Sequence, residues 1–129
     1  MGYSAYIIEN QSRLQLLEHF PPKFSDVIAH HVTFKFPDQF APPLCDEVIV
    51  VGYAANDKVE CVVVEVRGSV DRPTGGFFHI TLSIDRKAGA KPVHSNRLLK
   101  KGWQAVERLS LDVKAALIET NGSKSQSNK

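Results

Sequence analysis

Apolar and polar residues alternate along much of the chain, and this alternation predicts a protein built mainly of β-strands. The segments 47–55 (EVIVVGYAA) and 58–67 (KVECVVVEVR) are rich in β-branched residues, as strands are. The turn-forming pair Asn56-Asp57 lies between them, so the two segments are predicted to pair as a hairpin. Further strands are predicted at 2–9, 30–36, 77–84 and 109–118, and loops at 23–28, 37–43 and 68–76.

Apolar residues recur at helical spacing directly after the first strand. The apolar positions are Leu14, Leu16, Leu17 and Phe20. Asn10 and Ser12 are the candidate cap residues at the start of this helix. Pro21 and Pro22 are predicted to end it, because proline cannot continue a helix and restricts the residue before it.

A second, short helix is predicted over 96–101, with Ser95 as its cap and Gly102 after its last turn. Together these elements predict an α+β fold in which a curved antiparallel β-sheet packs against one or two helices. Residues 1–119 are predicted to form a single domain. The segment 120–129 (TNGSKSQSNK) has almost nothing to bury and is predicted to be a disordered C-terminal tail.

Charge and composition narrow the classes of function. The chain has 129 residues with 16 basic and 14 acidic side chains, giving a formal net charge of +2. Such a weak overall charge argues against binding to duplex DNA or to a membrane surface. The chain has no basic-then-apolar leader and no apolar run near the ~18 residues that a membrane span needs. The two cysteines form no CxxC pair, so we expect a reduced, cytoplasmic protein.

Two of the predicted strands carry the same short motif, histidine-apolar-threonine-apolar. The first copy is His31-Val32-Thr33-Phe34, and the second copy is His79-Ile80-Thr81-Leu82. Side chains alternate between the two faces of a strand, so each histidine shares a face with its threonine. The apolar residues between them, continuing to Phe36 and Ile84, are predicted to point into a core. The intervening hairpin leaves room for the two motif strands to lie adjacent in one sheet.

This pattern suits acid–base chemistry at a phosphate. The unperturbed imidazole pKa of about 6.5 allows one histidine to be neutral and another charged near neutral pH. One can take a proton from the attacking oxygen while the other gives one to the leaving oxygen. A threonine hydroxyl can donate to a phosphoryl oxygen as charge develops there. His31, Thr33, His79 and Thr81 are therefore the candidate catalytic residues.

Simpler explanations exist for each part of the motif. A single histidine-x-threonine is common on a half-exposed strand, where it has no catalytic role. His30 lies on the face of Val32 by alternation, which favours His31 as the catalytic residue and a structural role for His30. The five histidines include no His-x-x-x-His pair and have no acidic cluster around them, so neither a metal nor another cofactor is expected.

Four further residues are candidates for contact with a substrate. By alternation, Lys35 continues the face of the first motif and Ser83 continues that of the second. Tyr6, on a strand expected beside the motif strands, is a candidate for stacking on a base. Ser95 lies in the polar segment 91–97, which could close over a phosphate. Each also has a structural alternative: a rim residue, a buried aromatic residue or a helix cap.

The paired motifs resemble the signature of the 2H phosphoesterase superfamily, over about 3–118 of this chain. The resemblance implies a compact α+β fold with a concave sheet. It also implies metal-independent cleavage of phosphoester bonds in RNA ends or cyclic nucleotides and oligonucleotides, so the expected partner is a nucleotide or RNA substrate. Two alternatives stay open: a non-catalytic RNA- or nucleotide-binding module that uses the same face, and a structural protein in which the two motifs are coincidental.

Overall fold

The structure is a computed structural model that describes residues 2–119. The predicted tail at 120–129 lies outside the described residues. The elements follow one another in the order β1 (Gly2–Ile8), α1 (Asn10–His19), β2 (Asp26–Val27), β3 (His31–Asp38), β4 (Glu47–Ala55), β5 (Val59–Val66), β6 (His79–Ile84), α2 (His94–Lys100) and β7 (Gln104–Glu119). A short 3₁₀ helix (Arg86–Ala88) lies between β6 and α2. The predicted α+β class with a curved antiparallel sheet is confirmed.

The seven strands form one curled sheet, a half-barrel, in the order β2-β6-β5-β4-β7-β1-β3. Its two outer strands, β2 and β3, are consecutive in the chain, so one segment passes from one end of the sheet to the other. Before the crossing, the amide of Ala29 donates to the carbonyl of Thr81 at 2.9 Å. After it, the amide of Ile8 donates to the carbonyl of His30 at 3.0 Å. Ala29 itself is buried and has a φ of 41°.

The two motif strands are therefore not hydrogen-bonded neighbours, contrary to the expectation from the sequence. The first, β3, pairs with β1, and the second, β6, pairs with β5 and β2. They approach each other across the open side of the curl, where the rings of Phe34 and Phe78 stack with centroids 5.9 Å apart. The sequence pattern did not reveal this arrangement, because it depends on how far the sheet curls.

Two apolar clusters pack on opposite faces of the sheet. The larger contains Tyr6, Val32 and Ile80, and the helix α1 covers it through the buried Leu16. The smaller lies under α2. Residues of β5 alternate between the two clusters, because successive side chains of a strand point to opposite faces. The two faces of the sheet are thus both partly buried, each beneath one helix.

Several boundaries differ from the predicted ones for physical reasons. The cap position of α1 is Glu9, and the hydroxyl of Ser12 accepts a hydrogen bond from the amide of Asp112 at 2.7 Å instead of capping the helix. The helix α2 begins at His94, before the predicted cap residue. The strand β7 begins earlier than predicted because its first half pairs with β4 and its second half with β1. The strand β2 lies in a predicted loop.

No helix among residues 2–119 has the length and apolar character needed to cross a membrane.

Candidate active site

The four candidate catalytic side chains meet at one cavity of about 470 Å³, which we call the histidine cavity. Its lining residues are Tyr3, Ile28, His31, Thr33, Phe36, Arg72, Thr74, His79, Thr81, Pro92, Val93 and Asn96. The histidine and threonine of each motif face this space, and the apolar residues between them, Val32 and Ile80, lie in the larger core. Up to Thr33 and Thr81, the alternation read from the sequence agrees with the structure.

His79 is held in place by its own backbone environment. Its Nδ1 lies 2.9 Å from the carbonyl oxygen of Phe77, so Nδ1 carries a hydrogen and donates it. This leaves Nε2 as the ring nitrogen that can exchange a proton with a ligand. The pKa of His79 is lowered, first by burial and also by the positive charge of Arg72, while the hydrogen bond to Phe77 acts in the opposite direction.

His31 has a different environment, because its Nδ1 lies 3.0 Å from Nδ1 of His30. The alternation placed His30 on the buried face, but His30 precedes the strand and is exposed. The ring of Tyr3 also packs against His31, with centroids 5.5 Å apart. The pKa of His31 is lowered to about 4, mainly by burial and then by the nearby His30 and His79. A free His31 is therefore neutral at physiological pH.

The two threonines also differ. Thr81 is buried, and its hydroxyl lies 2.9 Å from that of Ser95 and 3.3 Å from the carbonyl oxygen of Pro92. Thr33 is half-buried, and within residues 2–119 its hydroxyl has no hydrogen-bond partner. Ser95, a predicted substrate contact, is fully buried behind Thr81 and does not line the cavity. Ser95 instead supports Thr81 through the contact between the two hydroxyls.

Arg72 is a cavity residue that the sequence reasoning missed. Its Nε donates to the carbonyl oxygen of Gly75 at 3.1 Å, and its Nη2 donates to Oδ1 of Asn96 at 3.0 Å. A guanidinium has five N–H donors, so these two bonds orient Arg72 and leave donors for a ligand. Burial lowers the pKa of Arg72, although a guanidinium stays charged in proteins. The glycines that follow Arg72 in the sequence are consistent with this arrangement. A Cβ atom at Gly76 would lie only 3.1 Å from Nη2 of Arg72.

An aromatic wall borders the cavity next to His31. Tyr3 and Phe36 lie with ring centroids 5.9 Å apart, and Phe36 is 62% exposed. The sequence placed Phe36 in the core and Lys35 on the cavity face. Thr33 and Lys35 pair with the adjacent residues Ala5 and Ser4, so β3 has an extra residue at this point, and the alternation changes. Lys35 is exposed and does not line the cavity.

A similar irregularity moves Ser83 away from the cavity. Thr81 and Ser83 pair with the adjacent residues Cys61 and Glu60, so Leu82 is the extra residue in β6. Ser83 is fully buried and donates a hydrogen bond to the carboxylate of Glu60. The next residue, Ile84, packs in the smaller core with Cys61 instead of in the larger one.

Tyr6 does not line the cavity either. It is fully buried in the larger core, where its hydroxyl donates to the carbonyl oxygen of Pro43 at 2.7 Å. Burial is the main reason that its pKa is raised, to about 12. The tyrosine at the cavity is instead Tyr3, which β1 presents on its opposite face.

Within residues 2–119, no group of three or more histidine, cysteine, aspartate or glutamate side chains is arranged to hold a metal ion. Comparisons of the chain with known protein families, with curated proteins and with solved structures gave no match.

Proposed function

We propose that this protein is a phosphodiesterase that cleaves a phosphoester bond in an RNA end or a cyclic nucleotide or oligonucleotide. One observation carries the proposal: the histidines and threonines of two strands that are not paired with each other line one cavity together with Arg72. In this cavity the histidines can transfer protons, and Arg72 can neutralise the charge of a phosphate. We therefore expect activity that does not depend on a metal ion.

The hydrogen bonds of the two rings favour different roles. His31 is the proposed general base, since the free ring is neutral and its Nδ1 contacts the exposed His30, which leaves Nε2 to accept a proton. His79 is the proposed general acid. Its Nδ1–H bond to Phe77 supports the charged ring, and an anionic phosphate bound beside it would raise its pKa.

The proton balance of the reaction follows from these roles. With a 2′,3′-cyclic phosphate, His31 takes a proton from water as the water oxygen bonds to phosphorus. The bond from phosphorus to one ribose oxygen breaks, and that oxygen receives the proton of His79. With a 3′–5′ linkage, the neighbouring 2′-hydroxyl takes the place of water. The two histidines end in exchanged protonation states and are reset through solvent.

His30 provides a route for that resetting. It contacts Nδ1 of His31 and is exposed, so a proton gained by His31 at Nε2 can be balanced by transfer of its Nδ1 proton to His30. His30 can then release a proton to solvent. In the resting state this role requires that the hydrogen between the two Nδ1 atoms belong to His31.

Arg72 and the threonines are the proposed phosphate-binding groups. Arginine suits phosphate because its planar donors match two oxygens at once. Asn96 and Gly75 fix the orientation of Arg72 before the substrate arrives. Thr33 has a free hydroxyl within the described part of the chain, whereas the hydroxyl of Thr81 donates to the carbonyl oxygen of Pro92 and contacts Ser95, and it must turn from Pro92 to donate to a phosphate. Donors positioned in this way stabilise charge that develops in the transition state.

A panel of substrates tests the proposal directly. The full-length protein is incubated in EDTA with 2′,3′-cyclic nucleotides, cyclic dinucleotides and short RNAs, and the products are identified by chromatography and mass spectrometry. We expect turnover of at least one class, with a bell-shaped dependence of kcat/KM on pH. Complete inactivity towards the whole panel, with and without EDTA, would contradict a phosphodiesterase of this kind.

One observation favours the alternative of a non-catalytic RNA- or nucleotide-binding module. The pKa values of both cavity histidines are lowered, so the free protein disfavours the charged imidazole that the acid step needs. The alternative predicts tight binding of the same ligands without turnover. NMR titration of the histidines with a bound phosphate distinguishes the two, because catalysis requires that the ligand raise the pKa of His79 towards neutrality.

A further inference from the structure

A second cavity, of about 290 Å³, lies along a different face of α2 from the histidine cavity. It is formed between α2 and the turn that joins β4 to β5. Four basic side chains line it: Lys58, His94, Arg97 and Lys101. We call it the basic cavity. None of these residues belongs to the proposed catalytic group.

The charges in the basic cavity are poorly balanced by the protein itself. Three side chains are cationic, and among residues 2–119 Asp57 is the one carboxylate that lines the cavity. The ion pairs within 4.0 Å among residues 2–119 join other residues, Arg86 with Asp26 and Arg108 with Glu65. The whole chain has a net charge of only +2, so this local concentration of cations is not a general property of its surface. Such a group of cations attracts an anion.

His94 adds a donor of defined geometry. Its Nδ1 accepts a hydrogen bond from the backbone amide of Lys91 at 3.1 Å. In the neutral ring the hydrogen must then reside on Nε2, which makes that nitrogen a donor. The cavity thus presents N–H donors from every one of its four basic residues and suits an oxyanion such as phosphate.

The helix α2 connects the two cavities. Asn96, which holds Arg72, lines the histidine cavity, and its neighbour Arg97 lines the basic cavity. An α-helix with its side chains is only about 10–12 Å across, so a chain of a few nucleotides can reach from one cavity to the other over α2. A mononucleotide that fills the histidine cavity has no second phosphate to place beyond the helix.

We propose that the basic cavity binds a backbone phosphate of the same RNA whose end is cleaved in the histidine cavity, so that linear RNA is the preferred substrate class. This inference rests on the proposed phosphodiesterase function. It adds a second binding site, away from the phosphate that reacts, and the affinity gained there grows with the length of the substrate. The cations of this site contribute affinity that depends on salt and not on base sequence.

The test compares two substrates that share one reacting group. These are a mononucleoside 2′,3′-cyclic phosphate and a short RNA that ends in the same cyclic phosphate. In the triple variant Lys58→Ser/Arg97→Ser/Lys101→Ser we expect KM for the RNA to rise by about tenfold or more, and its salt dependence to become shallower. The kinetics of the mononucleotide are expected to stay unchanged. Arg67→Ser/Lys87→Ser/Lys114→Ser, which removes the same charge from exposed positions outside both cavities, is the matched control.

Binding of a fluorescein-labelled RNA with a 3′-phosphate, followed by anisotropy, separates this proposal from the proposed function. If the wild-type protein turns over nothing, but the triple variant alone weakens RNA binding, the catalytic proposal fails and the basic cavity stands. If both substrates are turned over and the triple variant behaves like its control, the basic cavity proposal fails alone. An equal loss for both substrates would also overturn the assignment to linear RNA.

Discussion

The two motif strands carry the same four-residue pattern in unlike surroundings. In β6, His79 is bonded to the backbone of Phe77, and Thr81 is buried against Ser95. In β3, His31 is bonded to the exposed side chain of His30, and Thr33 has a hydroxyl without a partner among residues 2–119. The second motif is built into the protein interior, while the first lies on an outer strand beside solvent. A repeated motif therefore does not imply repeated roles: the buried copy suits a fixed acid, and the solvent-linked copy suits a base that must release its proton.

The largest expected effect comes from removing either ring. We expect His79→Ala and His31→Ala each to lower kcat/KM by about 10³-fold or more, since each proton transfer contributes ~10²–10⁴-fold. If the roles differ as proposed, His31→Ala removes the acidic limb of the pH–rate profile and His79→Ala removes the basic limb. His19→Ala, at an exposed position on α1, is the matched control. Full activity in either cavity variant would contradict the mechanism.

Arg72 lies on the loop before β6 and belongs to the buried half of the site. We expect Arg72→Ala to lower kcat/KM by about 10²-fold, as loss of one preorganised donor to developing charge does. Arg72→Lys keeps the charge and loses the oriented pair of donors, so it should recover only part of the activity. Steady-state kinetics measure both, with Arg108→Ala as a control at an exposed arginine. Complete recovery in Arg72→Lys would show that charge alone matters there.

The pH dependence of stability tests whether His31 is buried and neutral in the folded protein. The pKa of folded His31 is about 4 and its ordinary value is 6.5, so between these values the unfolded chain binds a proton that the folded protein does not. This contribution to stability is complete above about pH 6.5 and is lost as the pH falls towards 4. Urea unfolding at pH 7 and pH 5 should show a smaller acid-induced loss in His31→Gln than in the wild type. Equal losses would contradict the buried, neutral state of His31.

The threonines offer a smaller test that separates stability from activity. Thr81→Val removes a buried hydrogen-bond partner of Ser95 and should lower the free energy of unfolding by about 1 kcal/mol. Thr33→Val should change stability by less than about 0.5 kcal/mol, because no such bond is lost, yet reduce kcat by several-fold. Chemical denaturation and kinetics of the same two proteins measure both quantities. An equal stability loss in the two variants would remove the distinction between the strands.

His30 gives the smallest and most specific effect. We expect His30→Ala to lower kcat by about tenfold, consistent with a role in proton transfer outside the substrate contacts. Because His30 is exposed, imidazole added to the solution should restore part of the lost rate in this variant. His30→Asn can keep a hydrogen bond to His31 but cannot carry a proton at neutral pH. If His30→Asn is as active as the wild type, His30 only positions His31.

The sequence predicted the fold class and the faces of the motif residues, because both depend on local alternation. The prediction failed where pairing adds a residue to a strand: at Phe34, which turns Lys35 away from the cavity, and at Leu82, which turns Ser83 into the core. Arg72 could not be assigned from its own segment, since its place depends on contacts with Asn96 far along the chain. The separation of the two motif strands in the sheet was equally invisible, because it follows from the curl of the whole sheet.

The crossing at Ala29 limits how the chain can tolerate insertions and deletions. The backbone of Ala29 is bonded to Thr81 of the second motif, and His31 begins the first motif only two residues later. One residue added or removed in this interval would shift β3 against β1 and turn His31 towards the core. Changes of length are better accommodated in surface loops such as the one between β3 and β4. The position of one motif relative to the other thus depends on the short backbone segment from Ala29 to His31.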